Sequence, residues 1–506
     1  NIVQSGLDDP KVYQLLQKGY TQNIFQFSSK GMTKFLVSMQ PDKIEDLIAA
    51  NALFRPATLD SGSTDKYVDC KLGDADPVYL WGTYNAMKNT YGVLCYQEQL
   101  AQIAREVGKF SLGEGVKLVK LISKKKVDKI LALRDKFMAG ANENGCPKED
   151  AEAIWHMFEV AGGYLFNKSH ATAYAVTAYA GAYLKANYPT AFYTIALQWA
   201  KDDEIPTLMS EMELCSEAKI VPPDINVSGG TFITDYETNK IFWSLSRIKM
   251  LGAKATEWII NERNVRGEFS SIENFIERIF RYKLKLYKYW DDPDNPNEAT
   301  KCPVNARHVR HLILSGCFDK VENAQSVIER YAILEKAAKC LGFEISEKDI
   351  PEDLRNKHYF WSQQQIAISG IGAIDYKRIY DNSEAKPQIK GKASWALLKN
   401  IQDPDYDGKR VAICANIVDI EEKKFKDKKT GENRVFCKLL LQQNNDLVEM
   451  VIWNDEWMNV RATLCKGGSL SSAKNKMLIC SAQVKYSDYT GGNNLQLYKS
   501  SIIDIL

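Results

Sequence analysis

Val411-Ala-Ile-Cys-Ala-Asn-Ile-Val-Asp-Ile420 is a short run of β-branched and small apolar residues. Four more such runs follow it: Val435–Leu441, Val448–Trp453, Met477–Lys485 and Leu495–Ile502. A Gly- and Lys-rich turn separates the first two. Five short alternating strands in about 95 residues predict a small β-barrel. The region before Arg410 reads differently. Residues 351–408 have weak periodicity and read as a linker with short helices. From about Pro77 to Trp199 the period is helical, with helices expected over Glu98–Val107, Glu114–Ile122, Lys126–Ala141, Lys148–Ala161 and Ser169–Asn187. Tyr188-Pro189 breaks the last of these and can start a new helix. A strand is expected over Thr21–Phe27, a helix over Lys43–Leu53 capped by Asp42, and a loop over 61–80. A strand pair is expected near Thr231–Thr234 and Ile241–Leu245.

The 506 residues are 45% hydrophobic and 26% charged, the profile of a folded multidomain chain. No apolar run reaches the roughly 18 residues that a membrane span needs, so no membrane partner is expected. Eleven cysteines without a C-x-x-C pair argue against a disulfide framework and for a reducing, cytoplasmic setting. With 66 basic and 64 acidic residues, net charge identifies no partner. The chain opens at Asn1 without a Met or a signal peptide, which predicts a missing N-terminal part.

Charge distribution says more. Gly115–Lys136 is the densest basic segment, and on a helix Lys117, Lys120 and Lys124 fall in one sector while Leu118, Leu121 and Ile122 lie elsewhere. Such a stripe suits a triphosphate or a nucleic-acid backbone, and equally an ordinary solvated face. In Phe166-Asn-Lys-Ser-His-Ala171, Ser169 is the expected cap of the next helix, whose first N–H groups could bind an anion beside Lys168 and His170. The plain alternative is a capped core helix.

Several motifs then occur in one order: Gly31-Met32, Pro41-Asp42, Leu53-Phe-Arg-Pro56, Tyr91-Gly-Val-Leu-Cys-Tyr-Gln-Glu-Gln99, Ser111-Leu-Gly-Glu114, Lys124-Lys-Lys126, Ala161-Gly-Gly-Tyr-Leu-Phe-Asn-Lys-Ser-His170, Leu184-Lys-Ala-Asn-Tyr-Pro189 and Pro222-Pro-Asp-Ile-Asn226. That order and spacing resemble the α subunit of bacterial DNA polymerase III, its C-terminal part, with departures that mark a divergent member. Ser28 stands where the family has Glu, and Ala57-Thr58 replace Gly-Pro.

The resemblance implies a multidomain α+β chain: the remainder of a palm over 1–60, mainly α-helical fingers over 61–225, a small α/β clamp-binding region with a helix-hairpin-helix over 226–350, the linker over 351–408, and a C-terminal β-barrel (OB-fold) over 409–506. It implies template-directed DNA synthesis, with primer-template DNA, dNTP and a sliding clamp as partners. Arg55, Lys120, Lys124, Lys125, Lys168 and His170 become candidates for phosphate, and Tyr96 and Gln97 for the nucleotide pocket. Val119 and Lys120 stand where the family has two arginines, and Lys lacks the bidentate fork of Arg.

Nucleotidyl transfer needs carboxylates that hold Mg2+. The family carries them upstream of the aligned region, so no catalytic acid is assigned to this chain, and a palm-bearing chain or precursor is expected to supply them. Asp74-Ala-Asp76 and Asp403-Pro-Asp-Tyr-Asp407 read as loop acids. The alternative function is a non-catalytic DNA-binding or replisome scaffold.

DNA contacts are expected from Lys117 and Lys126 in the fingers, and from Lys249 and Lys254 at the hairpin Ile248-Lys-Met-Leu-Gly252, where Met250 replaces a Gly and strains the expected turn. In the barrel they are expected from Lys424, Lys426, Lys428, Lys429 and Arg434, beside Phe425, Phe436, Trp453 and Trp457. Ser369-Gly-Ile-Gly-Ala373 is a second Gly signature, and Gln364-Gln-Ile-Ala-Ile368 a candidate clamp peptide. Cys302, His308, His311 and Cys317 are a candidate zinc set, against two ordinary His and two thiols.

Overall fold

The computed structural model describes residues 6–123, 127–280, 302–372, 374, 376–381, 383–389, 391–426, 431–444, 446–465, 468–474, 476–487, 492–497 and 503–505. The chain forms two compact units, Asn1–Phe192 and Tyr193–Leu506.

The first unit is helical. Its helices are α1 (Pro10–Gln17), α2 (Lys30–Met39), α3 (Ile44–Leu53), α4 (Ser63–Leu72), α5 (Gln97–Glu106), α6 (Leu112–Ser123), α7 (Val127–Glu143), α8 (Lys148–Ala161) and α9 (Lys168–Asn187), with short helical turns between some of them. Then α10 (Pro189–Trp199) begins at the proline, as the break at Tyr188-Pro189 predicts.

Small residues let α9 run close to its neighbours: Ala171, Ala175, Ala178 and Ala182 are buried in one core with α1, α2 and α3. Its Lys185 is also buried, and its Nζ donates to the carbonyls of Tyr20 (3.0 Å) and Gln22 (2.7 Å). That contact explains why the expected strand over Thr21–Phe27 is absent. The segment is a pair of turns, with Ile24 N–H donating to Thr21 O and Phe27 N–H to Ile24 O. Asn23 and Gln26 have φ of 56° and 64°. Ile24 and Phe27 are buried together while Phe25 is exposed, which is a turn period and not an alternation.

The expected loop over 61–80 is corrected too. Residues Ser63–Leu72 form α4, flanked by Gly62 (φ 72°) and Gly73 (φ 86°). Both glycines hold left-handed backbone at the helix ends, and at Gly73 this is the usual C-terminal cap. Thr64, Tyr67 and Val68 give it a buried i, i+3, i+4 face. Lys71 on α4 is almost fully buried and pairs with Asp46 (3.0 Å) and Asp42 (3.1 Å). Asp42 therefore does not cap α3. Lys43 occupies that position without a side-chain cap, and the Asp42 N–H donates to the Asp46 carboxylate at 3.0 Å. Burial raises the Asp46 carboxyl above its ordinary range, and the Tyr67 hydroxyl donates to it at 3.0 Å.

The second unit continues with α11 (Ile205–Cys215) and a three-stranded sheet of β1 (Lys219–Val221), β2 (Ile233–Asp235) and β3 (Lys240–Phe242), in the order β1-β3-β2. Helices α12 (Ala253–Arg266), α13 (Ile272–Phe280), α14 (Ala306–Leu314), α15 (Arg330–Leu341) and α16 (His358–Ser369) follow. They share one core with Leu245, Phe275, Leu312, Leu334 and Trp361. The segment 351–408 does hold short helices, and its Trp361, Ile389 and Leu398 are fully buried in three different clusters.

The barrel comprises β4 (Ser394–Trp395), β5 (Arg410–Lys426), β6 (Asn433–Gln443), β7 (Asp446–Ile452), then helix α17 (Asn454–Cys465), and β8 (Met477–Ser487), β9 (Gly492–Leu497) and β10 (Ile503–Ile505). Strands β5-β6-β7-β9-β8 close on themselves because β5 pairs with both neighbours: Arg410–Asn416 pair with β8, and Asn416–Lys426 with β6. An irregularity between Ile417 and Asp419 lets one long strand serve both. Strand β7 runs parallel to β9, and every other closing pair is antiparallel. Helix α17 crosses from β7 to β8 and seals the core with Trp457 and Leu464. The chain is multidomain α+β with a closed five-stranded C-terminal barrel.

Candidate nucleotide and nucleic-acid interface

In the first unit the sequence folds the start of α5 against the loop before α9. The Gln97 N–H donates to Phe166 O at 2.8 Å, and the Phe166 N–H to Cys95 O at 2.9 Å. Buried Gln99 fixes the turn. Its Oε1 accepts from the N–H groups of Cys95 (2.9 Å) and Tyr96 (2.8 Å), and its Nε2 donates to Thr90 Oγ1 at 2.7 Å. Arg55 clips the same loop. It donates to Ala52 O at 2.8 Å and to Tyr164 O, with its guanidinium 4.5 Å from the Phe166 ring centroid. Burial pulls its pKa below the ordinary value.

The α9 N-terminus is built differently from the expectation. Asn167, not Ser169, is the cap: its Oδ1 accepts from the His170 N–H at 2.9 Å and from the Ser169 hydroxyl at 2.6 Å. Glu98 on α5 supplies the other acceptor, taking the Lys168 N–H at 2.9 Å and Asn167 Nδ2 at 3.0 Å. A carboxylate of the chain thus already sits where a bound anion would. Sequence reasoning missed Glu98 and Gln99, although Glu98 lies inside the quoted Tyr91–Gln99 motif and carries the sign a helix N-terminus attracts.

Beside this junction lies an open groove of about 350 Å³, lined by Gln97, Glu98 and Asn167 on one side and by Leu112, Val116 and Val119 of α6 on the other. Val119, at one expected arginine position, is a nearly buried wall of the groove. Lys120 and Lys168 each follow a lining residue, and both are exposed, as is Lys117. Lys168 also reaches 5.6 Å from the Tyr96 ring centroid. Tyr96 itself is buried and does not line the groove, and burial raises its hydroxyl well above the usual range. His170 is exposed, its ring centroid 4.2 Å from that of Tyr174. Lys124, Lys125 and Lys126 lie outside the described residues, as do Lys428 and Lys429.

In the second unit Ile248–Gly252 form the hairpin before α12. Met250 adopts the left-handed conformation (φ 71°), so the turn expected to need Gly is made without it. Leu251 N–H donates to Ile248 O at 3.1 Å, and Lys249 N–H to Ile368 O at 2.8 Å. His311 Nδ1 lies 2.6 Å from Lys249 O. Lys249 and Lys254 are exposed on either side of the turn.

The candidate zinc set is not brought together. His311 holds the hairpin, His308 Nδ1 accepts from the Asn305 N–H at 3.3 Å, and Cys317 Sγ lies 3.3 Å from Ser315 Oγ. Cys302 Sγ contacts Ile279 O. Among the described residues no three His, Cys, Asp or Glu side chains converge as metal ligands. Asp403 and Asp407 accept backbone N–H groups, of Asp405 and Tyr486. The candidate clamp peptide Gln364–Ile368 lies inside α16, with Gln365 and Ile368 buried. Gly370 of the second Gly signature is the left-handed C-cap of α16 (φ 80°).

On the barrel, β5 and β6 pair Phe425 with Arg434, Lys423 with Phe436 and Lys424 with Val435. Side chains alternate across a strand, so Lys423, Phe425, Arg434 and Phe436 share one face, and Lys424 and Lys426 the other. The Phe436 face is outer, because its neighbour Cys437 points into the core. Phe425, Phe436 and Trp453 cluster there, with centroids 5.3–5.8 Å apart. Trp457 belongs to the core, its Nε1 donating to Glu422 at 2.6 Å, and is no stacking platform.

Residues 1–145 match the bacterial DNA polymerase III alpha subunit finger domain, and residues 217–288 match a helix-hairpin-helix motif. The DNA polymerase III subunit alpha of Aquifex aeolicus is 35% identical over 340 residues, covering 67% of this chain and 27% of that protein. Its counterpart in Escherichia coli K12 is 28% identical along 99% of this chain. This chain belongs to the bacterial DNA polymerase III α-subunit family. It spans 42% of the Escherichia coli relative and 23% of the Thermus aquaticus one, which is 36% identical over 285 residues. Among the described residues no helix is long and apolar enough to cross a membrane.

Proposed function

We propose that this chain is the nucleotide- and DNA-holding portion of a replicative DNA polymerase. The groove between α5, α6 and the α9 N-terminus takes the incoming dNTP, and the hairpin and barrel hold DNA. The observation that carries this is the groove itself. Three motifs far apart in sequence, around Gln97, Val119 and Asn167, line one open cavity, and Lys120 and Lys168 are the residues next in sequence to two of the lining ones.

The division of labour follows from chemistry. Leu112 and Val116 offer an apolar shelf suited to a base or sugar, and the lysines offer charge to the triphosphate. On this reading the Mg2+-binding acids come from a palm-bearing chain or segment, as the family resemblance implies. On this reading the chain works in the cytoplasm with a sliding clamp as partner, and this polypeptide alone does not extend a primer.

Lys117→Ala/Lys120→Ala should weaken dNTP binding about tenfold in a mixture with a palm-bearing fragment, at unchanged fold. Unchanged affinity removes the groove from the nucleotide path. A second reading, a non-catalytic DNA-binding scaffold, is favoured by Val119 in place of an arginine and by Glu98 already seated on the α9 N-terminus. Primer extension by the mixture decides between them: synthesis supports the polymerase, and DNA binding without synthesis supports the scaffold.

A further inference from the structure

We propose that the outer face of the barrel holds one unpaired nucleobase on the exposed face of Trp453, beside Phe425, and that it prefers a base bearing an exocyclic amino group to one bearing a carbonyl at the same place. This rests on the reading of the barrel as a DNA-holding element and adds which atoms select.

A pocket of about 350 Å³ opens on that face, walled by Phe425, Arg434 and Trp453 and by Asp455, Glu456 and Gln496. Its size falls in the range of small-ligand sites, about 300–1,000 Å³. Trp453 is 44% exposed although it touches two other rings, so a ring face is presented to solvent at the pocket mouth. Exposed aromatic rings beside cations are a general platform for unpaired bases.

The two sides of the pocket differ in charge. Arg434 stands on β6 opposite Phe425. Asp455 and Glu456 stand in the first turn of α17. Asn454 orients the acidic side: its Oδ1 accepts from the Val435 N–H at 3.1 Å, and its Nδ2 donates to Asp455 Oδ1 at 3.0 Å. Carboxylates repel phosphate and accept hydrogen bonds only. The sugar-phosphate chain therefore runs on the Arg434 side, and the base edge turns towards Asp455 and Glu456. A cytosine amino group donates to such a wall, whereas the carbonyl oxygen at that position in uracil or thymine meets an acceptor with an acceptor.

Labelled 12-mers of deoxycytidine and deoxyuridine differ on that base edge, amino against carbonyl at C4 and bare nitrogen against N–H at N3, and fluorescence anisotropy with the full chain at low salt measures both. The deoxycytidine oligomer should bind about fivefold tighter. Asp455→Asn/Glu456→Gln should bring the ratio near one, and Trp453→Ala should weaken both oligomers about tenfold. The ratio is internal to each variant, so a loss of folded protein does not mimic the result, and Trp453→Phe should restore binding. Equal affinities in the wild type, or a ratio unmoved by the carboxylate variant, overturn the proposal while leaving the barrel a DNA-holding element. Absence of binding to either oligomer overturns both.

Discussion

The two lysine-rich segments look alike as composition and differ as structures. In the first unit, Lys117 and Lys120 sit on α6 beside an apolar groove wall, and the nearby helix N-terminus already holds Glu98. In the barrel, strand alternation splits the cations. Lys423 and Arg434 share the aromatic face, while Lys424 and Lys426 point to the other. The lesson is that a charge run acquires meaning only through the period of the element that carries it. A helix gathers every third or fourth lysine into a stripe, whereas a strand deals them to opposite faces. Two tryptophans four residues apart also part company, Trp453 at the surface between β7 and α17 and Trp457 in the core on α17.

That last contrast gives the largest expected effect. Trp457 is fully buried and its indole N–H is bonded to Glu422. Trp457→Ala should destabilise the barrel by about 3–5 kcal/mol. Trp453→Ala should cost less than about 1 kcal/mol of stability and instead lower oligonucleotide affinity. Thermal melts of both variants check the assignment. A comparable loss of stability from the two would mean that Trp453 is also core.

The hairpin gives a smaller effect of the opposite sign. Met250 holds φ of 71° without being Gly, at a cost of about 1 kcal/mol. Met250→Gly should stabilise the second unit by up to about 1 kcal/mol, less the added entropy of the unfolded chain. A melting temperature that falls would show that the Met side chain, 58% exposed, makes contacts worth more than the strain.

Much of the architecture was legible in the sequence. Helix α8 has the expected bounds, and α5, α6, α7 and α9 begin or end within a few residues of theirs, because each buries a regular apolar stripe. Of the five barrel strands, β6, β7 and β9 alternate at period two, whereas β5 and β8 were legible as continuous apolar runs buried on both faces. Local readings failed where long-range polar contacts decide. The Lys185 ammonium fixes the 20–27 turns from a helix far along the chain, and the Lys71–Asp46 pair buries a helix whose composition reads as loop. In the groove, the resemblance named Gln97, Lys120 and Lys168 as candidates, and Gln97 with the residues just before those two lysines lines it. The resemblance gave no sign that Glu98 would take the helix N-terminus or that Asn167 would displace Ser169 as cap, since each depends on the spacing of two folded segments. The face occupied by each barrel lysine was hidden because the irregularity after Ile417 resets the alternation.

The mildest expected effect tests how firmly the helical stripe is mounted. Glu114 on α6 pairs with Lys136 on α7, and also accepts from Ser111 N–H and Oγ at 3.0 Å each. The Lys136 ammonium, with Ser111, holds the Glu114 carboxyl down at about 2, against an ordinary 4.5. A depressed folded-state pKa means that the tie is fully present above about pH 4.5 and is lost as pH falls through about 2. NMR titration of Glu114 should therefore show a midpoint well below that of an exposed glutamate. Because the pair is solvent-exposed, salt should move that midpoint upward. Glu114→Gln should abolish the low-pH step while leaving α6 seated by Leu118 and Ile122, which are buried in the core it shares with α5 and α7. A midpoint near 4.5 would mean that the two helices are held by apolar packing alone, and that the lysine stripe owes its orientation to the core.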